Sequence, residues 1–389
     1  MSRSHNQLIT AQHLLERYRS GEPFHLYLKQ YFSANRKHGS SDRRILRDLC
    51  YAYFRIGQLW TELDMEERIL SAYYLIHPEP AVFLQALRPQ WPVPTSEDPF
   101  ERAKSIGKEI QVTAIFSKSM TLSSGIELTA FSMSHLRQPD LFIRIRPGCK
   151  TNVIHQLDKD TIPYRLIGDY SIALGNATLL ESRFLLDQEV VVQDLSSQRI
   201  AGMFDLLPNR PSWRVWDACA ASGGKSMLLF DHVRQIELTC TDIRPAILNN
   251  LSKRLGRAGV PVIRLQADDL TRQRDRSDFG TFGLIIADVP CTGSGTWART
   301  PEQLYYFDGS SVHDYVNRQR KILSHLVSHM EPNGYLLYLT CSVFSAENEE
   351  QVAWLSNEYQ LQVVQSTLFA GYSERADTMF ATLLRRSTN

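Results

Sequence analysis

The sequence predicts an α/β protein whose C-terminal half is a doubly wound, mostly parallel sheet, preceded by an all-α module and a small α+β module. Three observations carry this. After Asp194 the chain repeats short strand, tight turn and helix, the signature of a parallel sheet with crossover helices. Upstream of the proline-rich stretch Pro89-Gln-Trp-Pro-Val-Pro-Thr-Ser96, apolar residues recur at helical spacing. Between the two, from about Gly107 to Val192, short β-type runs surround a helix. The expected domains are 1–95, 96–190 and 191–389, in keeping with a chain of 389 residues.

In the first module Ile45, Leu49, Tyr53, Ile56 and Trp60 make one apolar face, and Ser41 or Asp42 would start that helix. The first sixty residues hold ten Lys/Arg (Arg3, Arg17, Arg19, Lys29, Arg36, Lys37, Arg43, Arg44, Arg47, Arg55) against four acids. That excess suits either a nucleic-acid footprint or an ordinary solvated helical surface. In the second module strands are expected at Ile110 to Phe116, Leu141 to Ile145 and Val190 to Val192, with a helix from Asn152 to Leu157. In the third, strands are expected at Arg214 to Asp217, Gln235 to Thr241, Gly283 to Asp288 and Gly334 to Thr340, with a helix from Pro245 to Ala258.

Composition excludes several classes. With 43% hydrophobic and 22% charged residues the chain has material for substantial cores, so pervasive disorder is not expected. No apolar run reaches membrane-spanning length, and the first residues lack the design of a secretory signal, so a cytoplasmic protein without membrane attachment is expected. Six cysteines (Cys50, Cys149, Cys219, Cys240, Cys291, Cys341) form no CxxC pair, which argues against a disulfide framework or a zinc knuckle; four of them read as buried thiols.

In doubly wound folds ligands bind at the carboxyl ends of the strands, and there the candidates fall. Asp217-Ala-Cys-Ala-Ala-Ser-Gly-Gly-Lys-Ser226 follows a strand with small residues and then a helix. Cys219 stands where a P-loop needs glycine, and the run supplies no GxGxxG. A cofactor without phosphates remains, held by Cys219, Ala220, Ala221, Ser222, Gly223, Gly224 and Lys225, beside the alternative of a tight turn with no ligand. Asp242 closes the next strand and suits either ribose hydroxyls or a helix N-cap. Asp268 could accept from an adenine amino group, with Asp269 its rival. Asp288-Val-Pro-Cys291 and Thr340-Cys341-Ser342 end two further strands, which would turn both thiols to one crevice. Two such thiols suit a covalent nucleophile and a proton carrier, with Lys225 lowering the nucleophile's pKa; singly, each is more simply a buried strand-end hydrophobe.

These motifs resemble those of the RNA 5-methylcytosine methyltransferases of the Nol/Nop/Sun (RsmB-like) family. The family's cofactor loop DxCAAPGGKT is similar to Asp217 to Ser226, its DAPCSGxG to Asp288-Val-Pro-Cys-Thr-Gly-Ser-Gly295, and its YxTCSxxxxENE to Tyr338-Leu-Thr-Cys-Ser-Val-Phe-Ser-Ala-Glu-Asn-Glu349. Val192-Gln-Asp-Leu-Ser-Ser-Gln198 resembles its VQDxxSQ run, and Ser41 to Arg55 is similar to the NusB-like RNA-binding domain of such proteins. The resemblance covers roughly Asp140 to the C-terminus. It implies a Rossmann-like S-adenosylmethionine-dependent methyltransferase, with Cys341 as nucleophile toward carbon 6 of cytosine. Cys291 would assist release, and Asp288 would stabilise the adduct near the base's N3. Cys219 through Lys225, Asp242, Asp268 and Asp288 would surround the cofactor. Ser222 departs from the family's proline, Arg146-Pro-Gly stands where an asparagine is frequent, and Asp377-Thr-Met-Phe380 replaces DGFF. The implied partner is RNA, ribosomal first and transfer RNA second, for a monomeric enzyme. The rival classes are a non-catalytic RNA-binding assembly factor and a nicotinamide oxidoreductase.

Overall fold

A computed structural model describes residues 2–77, 82–116, 120–233 and 235–387. The chain divides into two compact units. One comprises Met1–Met120, Glu127–Gln138 and Thr296–Gly309; the other Thr121–Ile126, Pro139–Gly295 and Ser310–Asn389. The expected boundary at residue 95 falls inside the first unit and that at residue 190 inside the second.

The described part of the first unit is helical. Its long helices are Arg3–Arg17, Phe24–Ala34, Ser40–Arg55 and Met65–Ile76. The helix expected to start at Ser41 starts at Ser40, capped by Gly39, and its apolar face buries Leu46, Leu49, Tyr53 and Phe54. Residues 112–115 form a short helix, so the strand expected from Ile110 to Phe116 is corrected; seven residues are too few to distinguish the two periods. Of the ten basic residues counted above, Arg55 is buried and donates to the carbonyls of Ala298 (2.7 Å) and His135 (3.1 Å), while the other nine are exposed. The segment Thr296–Gly309 helps close this core. Its helix Pro301–Tyr306 sets Tyr306 among Tyr18 and Phe54, and Glu302 accepts from the Phe24 amide at 3.1 Å.

The second unit holds two sheets. Strands β1 (Leu141–Ile145), β2 (Tyr164–Ile167), β3 (Ser171–Leu174) and β4 (Val190–Val192) form an antiparallel sheet in the order β2-β3-β1-β4, packed on the helix Lys150–Lys159 through Val153 and Leu157. The large sheet contains β5 (Trp213–Asp217), β6 (Ile236–Asp242), β7 (Val262–Ala267), β8 (Phe282–Asp288), β9 (Met330–Thr340), β10 (Leu361–Ala370) and β11 (Thr378–Arg386). Its order is β10-β11-β9-β8-β5-β6-β7. Strands β5 to β9 are mutually parallel, and β11 and β10 add an antiparallel edge. Both faces are buried: Val215, Leu238, Leu284 and Leu337 in one cluster, Trp216, Ile285, Leu336 and Tyr338 in the other. Burial on both sides explains the near-continuous apolar runs of these strands. The chain turns from β5 outward through β6 and β7, then returns to β8 on β5's other side. The crevice beyond β5 and β8 is therefore the topological switch point.

Candidate active site

The glycine-rich loop leaves β5 and enters the helix Gly224–His232. Gly223 caps that helix in the left-handed region (φ 83°), and a Cβ there would lie 2.4 Å from Leu251 Cδ1. Glycine is needed on both counts. Ala221 also has positive φ (45°), and its amide donates to Asp242 at 3.0 Å. Gln193, in the run Val192 to Gln198, braces the loop: it accepts from Arg144 (2.9 Å) and contacts the Gly224 carbonyl (3.4 Å). Arg144 and Arg146 share the buried Asp231, and Arg146 also donates to the Asp187 and Ala258 carbonyls. Arg146 is thus a strut between the small sheet and the large one.

Three acids at strand ends face three different situations. Asp288, ending β8, pairs with Lys225 at 2.9 Å. Burial works to lower the Lys225 pKa, but Asp288 outweighs it and holds the ammonium above its ordinary value. Asp242, ending β6, is ion-paired with Arg244 at 2.9 Å; burial opposes its ionisation, yet the Arg244 and Ala221 donors keep its pKa below the usual range. Asp217, ending β5, is 1% exposed, and burial raises its pKa to about 7 against the Ser226 hydroxyl that donates to Oδ2. Its Oδ1 has no hydrogen-bond partner. Asp268 is also buried, but Arg276 occupies both its oxygens (2.8 and 3.0 Å), and Asp269 caps Thr271 at 2.6 Å. As placed, neither acid presents an oxygen without a partner of its own.

The two thiols meet. Register pairs Asp288 with Leu339, so β8 and β9 end side by side and Cys291 and Cys341 follow from adjacent strands. Their sulfurs are 3.4 Å apart, well beyond the roughly 2.05 Å of a disulfide. The hydrogen bond to Cys341 and then burial hold the Cys291 pKa well above the ordinary thiol range. Gly295 donates to the Cys341 carbonyl at 2.8 Å, and a Cβ on Gly295 would come within 2.2 Å of the Thr378 carbonyl. Of the four cysteines expected buried, Cys50 and Cys240 are; Cys149 and Cys219 are half-buried, a correction. Cys149 borders a turn, and Cys219 sits on the loop, its thiol pushed up by burial.

Sequence reasoning by residue type missed Glu347, a fully buried carboxylate between the two thiol loops. The Glu-Asn-Glu run was the available signal.

A parallel sheet with acids at the ends of β5, β6 and β8 defines a Rossmann-like fold, with its ligand crevice at the strand ends. The donor set would fit the ammonium and ribose diol of S-adenosylmethionine, the cofactor implied by the sequence motifs: carboxylates line the switch point, one with an oxygen lacking a partner. Residues 204–380 match the model described as 16S rRNA methyltransferase RsmB/F. Ribosomal RNA small subunit methyltransferase B of Xylella fastidiosa is 35% identical over 164 residues, covering 42% of this chain and 38% of the relative. Its counterpart from Serratia proteamaculans is 30% identical over 181 residues, covering 46% and 41%. The chain thus spans about two fifths of the length of these relatives. Among solved structures, that of PH0851 is similar with TM-score 0.69 at 19% identity, covering 98% of both chains. That of NSun6 from Pyrococcus horikoshii with SFG has TM-score 0.59 at 14% identity, covering 72% of this chain and 97% of that one.

Proposed function

We propose that this protein transfers a methyl group from S-adenosylmethionine to carbon 5 of a cytosine in RNA, through a covalent bond from Cys341 to carbon 6. The observation that carries the reading is the pair of thiols 3.4 Å apart at neighbouring strand ends, within electrostatic reach of Lys225. When bound, S-adenosylmethionine supplies an electrophilic methyl group. Carbon 5 is too weak a nucleophile to take it unaided, and addition of the Cys341 thiolate to carbon 6 moves the ring electrons onto carbon 5. The Lys225 ammonium supplies the proton for N3, passed through the Asp288 carboxylate, which ends ionised again beside a neutral amine.

The protonation of Cys291 fits a later role. Its pKa is raised chiefly by the hydrogen bond to Cys341 and also by that neighbour's charge. Both influences end when Cys341 becomes a thioether, so Cys291 grows more acidic once the adduct exists. Cys291 then gives its proton to solvent and its thiolate takes the carbon 5 proton; the double bond re-forms, Cys341 leaves as thiolate, and N3 returns its proton to the Lys225–Asp288 pair. The target base must be unstacked to admit a sulfur at carbon 6. The names of the aligned relatives favour ribosomal over transfer RNA. Loop amides and carbonyls from Cys219 to Gly224, together with Asp217 and Asp242, would hold the cofactor. Cytoplasmic action as a monomer accords with this reading, and among the described residues no helix is long and apolar enough to cross a membrane.

Mass spectrometry of wild type, Cys341→Ala and Cys291→Ala protein, incubated with S-adenosylmethionine and cellular RNA, tests the assignment. Cys291→Ala should accumulate a covalent RNA adduct that Cys341→Ala cannot form, and the cross-linked fragment identifies the RNA. Absence of 5-methylcytosine with wild type, and of adduct with either variant, would leave a non-catalytic RNA-binding factor as the better account.

A further inference from the structure

We propose that Glu347 is a positioning residue that clamps the two thiol-bearing loops together and so sets the separation of Cys291 and Cys341. The inference rests on reading these thiols as a working pair, but its test needs no RNA. Glu347 lies in the short helical turn Ser345–Glu347, six residues beyond Cys341, with no exposed surface. Oε1 accepts from the Thr292 amide (2.9 Å) and from Gln319 Nε2 (3.1 Å). Oε2 accepts from the Thr292 hydroxyl (2.6 Å) and from the Ser342 hydroxyl. Thr292 follows Cys291 directly and Ser342 follows Cys341 directly. One carboxylate is therefore bonded to the residue beside each thiol.

Four donors fill the acceptor sites of an ionised carboxylate. No lone pair remains for a substrate proton, so Glu347 holds rather than reacts. Burial raises its pKa, while the Ser342 and Thr292 hydrogen bonds oppose that rise. A buried charge is costly to keep unless it is fully hydrogen-bonded, and here each bond ties down a loop that must not drift. Neutral links reinforce the joint: Ser294 Oγ accepts from the Val343 amide (2.9 Å), and Asn348 Nδ2 donates to the Ser342 carbonyl (2.9 Å). Tyr338 braces the turn from below by donating to the Glu347 carbonyl.

The separation of the thiols can be read as the rate at which diamide couples them. Two thiols give up two electrons and two protons to the reagent's nitrogen double bond, forming one disulfide. Alkylation of the distant Cys149 serves as the internal control. Glu347→Ala should slow Cys291–Cys341 coupling at least tenfold, as counted by peptide mass spectrometry. Glu347→Gln should stay within about threefold of wild type. Its amide oxygen can serve the two fixed N–H donors, while its NH2 group meets hydroxyls free to rotate. Should Glu347→Ala fail to fold, the Thr292→Val/Ser342→Ala double variant strips Oε2 of its donors and should slow coupling likewise. Methylation assays should show a lower kcat with unchanged KM for RNA in Glu347→Ala, and rescue in Glu347→Gln. Wild-type coupling in folded Glu347→Ala or in the double variant overturns the inference, as does Glu347→Gln coupling as slowly as Glu347→Ala. Slow coupling in these variants, beside a wild type that methylates nothing, would instead overturn the proposed function and leave the clamp standing.

Discussion

Asp217→Asn should change the pH dependence of stability in a defined window. Burial raises the Asp217 pKa from 3.8 to about 7, with Asp288 and Asp242 adding to the rise and the Ser226 hydroxyl opposing it. Because the folded pKa lies above the unfolded one, the stability contributed by this group is complete below about pH 3.8 and is lost as pH rises to about 7. From pH 5 to pH 8 the folded state must surrender a proton that the unfolded chain has already released. Two units at 1.36 kcal/mol each give a loss of about 3 kcal/mol assignable to this carboxyl. Asparagine cannot ionise, so the variant should lack that loss. At pH 5 wild type has already lost about 1.6 kcal/mol, which the variant's partnerless buried amide offsets, so the two should lie close together; at pH 8 the variant should be the more stable protein. Urea unfolding of both proteins at pH 5, 6, 7 and 8 measures the difference, in which the other titrating groups cancel. Two stability curves that run parallel from pH 5 to 8 would refute the argument. They would mean that Asp217 is already ionised at pH 5 and that its surroundings are more polar than its burial implies.

The glycine loop offers an adjacent contrast: Gly223→Ala should cost about 2 kcal/mol or more from positive φ and the clash with Leu251, whereas Gly224→Ala, with its nearest neighbour at 3.8 Å, should be neutral or slightly stabilising in thermal melts. Lys225→Met leaves Asp288 unpaired and should destabilise by about 2–3 kcal/mol, below the fully buried case because the carboxylate is partly exposed. Adding Asp288→Asn should restore much of that stability in denaturant unfolding without restoring methylation. Asp231→Asn strips two buried guanidinium groups of their shared counter-ion and should cost about 3–5 kcal/mol or more. Asp169→Asn, at the exposed pair with Lys150, should leave the unfolding midpoint unchanged.

What was legible in the sequence follows from where each residue's partners lie. Strands β5, β6, β8 and β9 are buried on both faces, so each announced itself as an apolar run closed by a polar residue. The β10–β11 hairpin did not, because Gln362 to Ser366 are all exposed, with Val363 and Val364 adjacent rather than alternating with polar residues. Strands β2 and β3 have four residues each, too short to show alternation. In the site, the chemistry-bearing types were legible because they cluster at strand ends: Cys291, Cys341, Lys225 and Asp288 do come together. Their satisfaction was not. Asp268 is claimed by Arg276, eight residues on, and Glu347 reaches Thr292 across 55 positions, a distance at which no periodicity operates.

The charges of the switch point form a balanced set, and that balance bears on what it can admit. Asp288 is answered by Lys225 and Asp242 by Arg244, each through a direct ion pair. Asp217 has no cation bonded to it and meets its burial by retaining a proton up to about pH 7. A cation entering beside it would replace that proton rather than disturb either ion pair. Uptake of a positively charged ligand should therefore release up to one proton per site near neutral pH, with little release above pH 8 where Asp217 is already ionised. Calorimetric binding of S-adenosylmethionine in two buffers of different ionisation enthalpy counts those protons. In Asp217→Asn the buffer dependence should vanish even where binding persists.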